Sequence, residues 1–149
     1  MPNPIPLSAS LPGSWLLESR IDVDAAGTRR VEPSLGEDPV ALLIYDRSGH
    51  FAAQFMKRDR SAPVPDAPSG GKNNSRAQGG YDAYFGTYTV DDAANTVTQR
   101  LLAALSQENV GSVLTREMEV RGDKLILQVQ TSAPDGSAVT RTLTWNRVG

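Results

Sequence analysis

The chain has 149 residues, 39% of them hydrophobic, which is the size of one domain with one sizeable core. With 0 Cys and 1 His it has no disulfide framework, no cysteine-based metal or redox site and no histidine-rich metal site. Lys and Arg number 15 against 17 Asp and Glu, and a net charge of -2 argues against a general nucleic-acid binder, whose footprint is a basic patch.

The start, Met1 to Trp15, has neither the charged segment nor the long apolar run of a secretory signal. No apolar stretch approaches the ~20 residues of a membrane span. A soluble, cytoplasmic protein without a membrane partner is therefore expected. Pro2, Pro4 and Pro6 mark residues 1–11 as a loose N-terminal arm. Short segments of alternating polarity, bounded by turn residues, then follow one another, which is the all-β signature. Trp15–Val23 and Thr28–Val31 form a first pair across Asp24-Ala25-Ala26-Gly27. Ala41–Asp46 and His50–Lys57 flank a turn with Asp46 early and Gly49 late. This hairpin admits two facings: Leu42, Ile44, Phe51, Ala53 and Phe55 form one set, and Tyr45, His50, Gln54 and Met56 the other.

Residues 58–80 carry Pro63, Pro65, Pro68, Gly70, Gly71, Gly79 and Gly80 and no apolar periodicity. A loop this long in a compact domain is a lid, a binding loop or a disordered insertion. Tyr84–Val90 is rich in aromatic and β-branched residues, as strands are. Thr96–Leu102 follows the turn Asp91–Asn95, and Leu101–Asn109 reads equally as a short helix or as a strand end plus loop. Val113–Val120, Lys124–Gln130 and Ala138–Val148 complete the series. Roughly eight strands with mostly short connections and little helix predict a single antiparallel up-and-down β-barrel over residues 1–149.

Alternation sorts these strands into two faces. Val97, Gln99 and Leu101 fall on an inner face. So do Leu114, Arg116, Met118 and Val120, and Val139, Arg141, Leu143, Trp145 and Arg147. Tyr84, Gly86, Tyr88 and Val90 form a further set. A solid core does not take two unpaired Arg, because a buried lone charge is very costly. A partly wet cavity takes them; so does snorkelling to the barrel mouths or pairing with carboxylates at the rim. No inward carboxylate is evident from this alternation. The chain has no nucleophile elbow, phosphate-binding loop or dinucleotide motif. Gly70-Gly71-Lys72 lacks the phosphate-loop spacing, and His50 follows a turn where an exposed ring is expected.

Several pieces in order carry a family resemblance. They are Gly13-Ser14-Trp15, the hairpin Leu42–Arg60, Ala83–Asp91, Asn95–Gln99, Val120–Leu127 and the terminal Leu143–Val148. Together they resemble the lipocalin-like domain family of small calycin-type barrel proteins, from about Pro12 to Val148. The resemblance implies an antiparallel barrel with a central pocket. It also implies a structural role for Trp15, closing the barrel floor, with Arg147 stacked over it. Many relatives carry a His where Gln99 stands, and an amide does not titrate, so chemistry through that position is not inherited.

Two functions fit. One is a binding protein for a small hydrophobic or aromatic molecule in the barrel cavity. The other is a cofactor-independent cyclase, isomerase or hydratase/lyase in the same cavity. An accessory protein acting through its surface is a third class. Candidate ligand-binding residues are Tyr84, Tyr88, Arg116, Arg141, Gln99, Gln54, Met56 and Trp145. No metal or cofactor is expected, and the partner is a small molecule. An Arg between aromatic and aliphatic walls selects an anionic or carbonyl oxygen on that ligand.

Overall fold

A computed structural model describes residues 5–68 and 73–149. Residues 1–4 and 69–72, with Pro2, Pro4 and the Gly70-Gly71-Lys72 stretch, lie outside the described residues. After a helical turn, α1 (Leu7–Ser10), nine strands follow. They are β1 (Gly13–Asp24), β2 (Arg29–Arg30), β3 (Val40–Tyr45), β4 (His50–Met56) and β5 (Tyr81–Asp91). Then come β6 (Thr96–Ala104), β7 (Val113–Arg121), β8 (Lys124–Ser132) and β9 (Ala138–Arg147). Every pairing is antiparallel, and β1 pairs with both β3 and β9, so eight strands close into a barrel and β2 is an extra edge on β1. Closure removes the exposed strand edges that an open sheet leaves.

Leu101–Asn109 resolves as the end of β6 followed by a 3-10 turn at Gln107–Asn109. The pairing Tyr45↔Phe51 sets the facing of the first hairpin. Ala41, Leu43 and Tyr45 are buried with Phe51, Ala53 and Phe55, whereas Leu42, Ile44 and Gln54 are exposed and Met56 is only partly covered. Neither facing read from the sequence matches this set. The reason is register: strand partners closing a turn share parity, and here both partners are odd-numbered.

The arm before β1 is not loose over its described residues. Leu7 and Leu11 are buried, Leu11 at 0% exposure, and α1 packs against β5 and β7. This turn closes one end of the barrel. Trp15 lies above it with Nε1 donating to the Leu11 carbonyl at 3.0 Å. The Arg147 guanidinium is 4.2 Å from the Trp15 ring centre and Nη1 donates to the Pro12 carbonyl at 3.1 Å. A guanidinium over an indole face is a favourable electrostatic contact. Gly13 has φ +145°, and a Cβ there would lie 2.6 Å from Arg147 Nη1 and from the Gly149 carbonyl. The Gly-x-Trp spacing thus serves the floor: the glycine makes room for the arginine that covers the tryptophan.

Two strands carry an extra residue. Glu18 is skipped between the pairs Leu17↔Trp145 and Ser19↔Thr144. Leu102 is skipped between Phe85↔Ala103 and Gly86↔Leu101. Each bulge reverses the alternation beyond it. In β1 the inward residues therefore run Trp15 and then, past the bulge, Arg20 and Asp22.

Candidate ligand cavity

The end of the barrel opposite Trp15 encloses a cavity of about 520 Å³. That volume suits a small organic ligand. Its walls combine Leu43, Phe55, Met118, Leu127, Leu143 and Trp145 with a cluster of charged side chains.

Between β4 and β5 the described residues, 57–68 and 73–80, contain no regular strand or helix, and Ala67, Pro68, Asn73, Asn74, Ser75 and Ala77 line the cavity. The placement of this segment has a structural cause. Strands β7 and β8 pair from Arg121↔Lys124 only as far as Glu117↔Gln128, and beyond that they splay. Asn73 and Asn74 bridge the gap. Asn73 Oδ1 accepts from the Thr115 amide at 2.8 Å, and Asn74 Nδ2 donates to Thr131 Oγ1 at 3.1 Å. The Arg76 amide donates to Asn109 Oδ1 at 2.9 Å, and Ser106 Oγ donates to the Arg76 carbonyl at 2.8 Å. Residues 73–78 are thereby tied to the 3-10 turn and cap the mouth.

Inside, two ion pairs are complete. Arg141 donates to both oxygens of Asp22, Nε to Oδ1 at 2.8 Å and Nη2 to Oδ2 at 2.9 Å. Arg20 pairs with Glu32 at 3.4 Å. Glu32 also accepts from the Ser34 and Leu35 amides, which fixes the loop after β2. Burial pulls the Arg20 guanidinium down to about 10, with the Arg141 charge adding to it, so it remains a cation at neutral pH. The fork-to-fork contact of Arg141 and Asp22 is the geometry in which a buried pair is best compensated.

Of the charged side chains that line the cavity, two have no ion-pair partner among the described residues. Arg116 is 7% exposed, and its hydrogen bonds all run from Nη1, to the Asn73 carbonyl (2.8 Å), Asn73 Oδ1 (3.1 Å) and the Thr115 carbonyl (3.2 Å). It has no carboxylate partner. Burial lowers its affinity for the proton, partly opposed by the nearby Tyr84 and Tyr45 hydroxyls. Asp82 is 4% exposed; its Oδ2 accepts from Ser75 Oγ at 2.6 Å, and its Oδ1 is buried with no hydrogen-bond donor. Burial raises its carboxyl to about 6 against the hydrogen bonds of Ser75 and the Ala83 backbone and the charge of Arg20. The Tyr84 hydroxyl feels both groups. Burial, then Asp82, pushes it up to about 12, while Arg116 and Ser75 pull the other way. Trp145 Nε1 is a further buried donor without an acceptor.

Of the candidates drawn from the sequence, Tyr84, Gln99, Arg116, Arg141 and Trp145 line this one cavity. Gln99 is already engaged: Nε2 donates to Tyr45 Oη at 2.5 Å. Arg141 is likewise held by Asp22. Gln54 and Met56 do not reach the cavity, because the hairpin register turns them to the outer face, where Gln54 Oε1 accepts from Tyr81 Oη at 2.6 Å. Tyr88 faces inward but toward the closed end, its hydroxyl donating to the Asp46 carbonyl at 2.5 Å. It does not line the cavity. The absence of inward carboxylates is corrected by Asp22, Glu32 and Asp82. Asp82 lies two residues before Tyr84 on the same face and was legible had the strand been carried back to Tyr81. Arg20 and Asp22 needed the bulge at Glu18.

The lipocalin-like domain family matches residues 12–148. No curated protein matches the chain.

Proposed function

The chain belongs to the lipocalin-like domain family, and from that premise we propose that it binds a small apolar or aromatic molecule bearing one anionic or carbonyl oxygen. Arg116 carries this reading: a cation buried in the cavity wall without a carboxylate partner. Leaving such a charge uncompensated is costly, and an oxyanion on the ligand offsets that cost through charge-assisted hydrogen bonds. The apolar walls supply the remaining affinity through surface removed from water. Trp145 Nε1 supports the same polarity, since it offers a second donor and needs an acceptor. Arg141 acts at one remove, as half of a fixed ion pair that shapes the wall.

The test is a titration of 2-naphthoic acid and of 2-naphthylmethylamine, followed by quenching of the tryptophan fluorescence, Trp145 being the tryptophan that lines the cavity. The acid is expected to bind at least about tenfold more tightly than the amine, and Arg116→Leu to lose about 10- to 100-fold of the acid's affinity, the worth of one hydrogen bond to a charged group. Equal affinity for the two probes, or an unchanged affinity in Arg116→Leu, overturns the reading.

A further inference from the structure

Asp82 is the part of the cavity that binding an anion does not explain. A protein that only held a carboxylate against Arg116 would gain nothing from a second carboxylate lining the same cavity, and would bind less tightly because of it. Yet Asp82 is held there by a dedicated contact. Ser75 of the cap donates to Oδ2, which leaves Oδ1 as the oxygen without a donor. The remaining charged groups nearby are spent. Arg20 is committed to Glu32, and Arg141 to Asp22. Asp82 and Arg116 are thus the two unmatched charges of the cavity, one a proton acceptor and the other a donor to oxygen.

We propose that these two residues form a proton-transfer site acting on the carbon next to the carbonyl of an apolar ketone bound in the cavity. The inference rests on the binding reading above and deepens it from ligand to substrate. The carbonyl oxygen is held by Arg116. Asp82 Oδ1 removes a proton from the adjacent carbon; the electron pair of that C–H bond becomes the carbon–carbon π bond, and the carbonyl π pair moves to oxygen. The resulting enolate oxygen is stabilised by the guanidinium, a charge already in place before charge develops on the substrate. The carboxylic acid of Asp82 then returns the proton. Returned to the same carbon, it regenerates the ketone. Returned two carbons further along a β,γ-unsaturated ketone, it moves the double bond into conjugation. Every proton and electron pair is accounted for, and no oxidant, reductant or second substrate enters. The raised proton affinity of Asp82 suits this role, since a base works best when its acidity lies near the working pH.

The experiment uses 2-tetralone in deuterated buffer, with occupancy followed by the probe's own NMR signals and exchange by loss of its benzylic α-proton resonance. At saturating probe the wild-type chain is expected to accelerate exchange over buffer by about 100-fold or more, the range of a positioned acid–base group. Excess 2-naphthoic acid is expected to suppress that acceleration. Asp82→Asn and Asp82→Ala, read at saturating probe so that occupancy does not enter, should fall to the buffer rate. Binding of 2-tetralone without acceleration overturns the proton-transfer site and leaves the binding reading standing. So does exchange that survives in both Asp82 variants, or that 2-naphthoic acid does not suppress. If neither 2-tetralone nor 2-naphthoic acid binds, both readings fall together.

Discussion

Asp22 and Asp82 are both aspartates, both buried inside the barrel, and their surroundings assign them opposite thermodynamic signs. Asp22 meets the Arg141 fork in two hydrogen bonds. Removing it leaves a lone buried guanidinium, so Asp22→Ala is expected to cost about 3–5 kcal/mol in a denaturant titration. Asp82 has no cation in hydrogen-bond contact, and its carboxyl is raised from 3.8 to about 6. Between those values the folded chain holds a proton that the unfolded chain releases. Its stability therefore falls as pH rises from about 4 to about 6, and the penalty is complete above that. Asp82→Asn removes the penalty. It is expected to stabilise the chain by about 1–3 kcal/mol at pH 8 and to show no gain below pH 4. Thermal melts of both variants across that range check the pair. A carboxylate kept at a cost to stability is what a functional position looks like when structure alone does not need it.

At the scale of elements, the bulges and the cap do the positioning. The skipped Leu102 brings the β6 backbone across Gly86, where a Cβ would lie 1.8 Å from the Arg100 carbonyl oxygen. Backbone cannot yield as a flexible side chain does. Gly86→Ala is accordingly expected to cost about 3 kcal/mol, read as a lowered denaturation midpoint. Along residues 57–80, the contacts divide the segment. Arg58 and Arg60 are exposed, and Arg58 is held only by the half-open loop contact with Asp38. Arg76 is half-buried, with Nε donating to the Ala67 carbonyl at 2.6 Å and its amide bound by Asn109. Trypsin is therefore expected to cut after Arg58 or Arg60 before it cuts after Arg76, as mass spectrometry of the first fragments would reveal. Earlier cleavage at Arg76 would mean that the cap opens more readily than its hydrogen bonds imply.

For the molecule as a whole, the decisive contact joins its two ends. β1 and β9 pair from Trp15↔Arg147 to Asp24↔Val139, so the barrel closes only when the first and last strands meet. The indole of Trp15, at 0% exposure, is the centre of that seam, covered by Arg147 on one side and seated on Leu11. Trp15→Ala removes a large buried ring from a place that cannot collapse without opening the seam, and is expected to cost about 3–5 kcal/mol. A thermal midpoint equal to that of the wild-type chain would contradict this account of closure.

The fold class was legible because its determinants are local. Period-two alternation, the turn residues at Asp46–Gly49 and Gly122, and the aromatic and β-branched runs such as Tyr84–Val90 each act over a few residues, and together they define a strand series. Half of the candidate site was legible for the same reason: the alternation is unbroken within β7 and β9 and in β6 up to Leu101, so Gln99, Arg116, Arg141 and Trp145 point inward as their parity requires. What the tertiary structure alone decided is how charges meet. The extra residue at Glu18 takes its meaning only from the partner strand β9, and without it Ile21 and Val23, rather than Arg20 and Asp22, would follow Trp15 into the barrel. The facing of Gln54 and Met56 depends on which residue opposes Tyr45. The partner of Arg116 is Asn73, 43 positions away, brought there by a gap between β7 and β8 that neither strand announces. Pairing register, bulges and loop docking are properties of two segments in contact, and a single segment's sequence carries no record of which partner it will find.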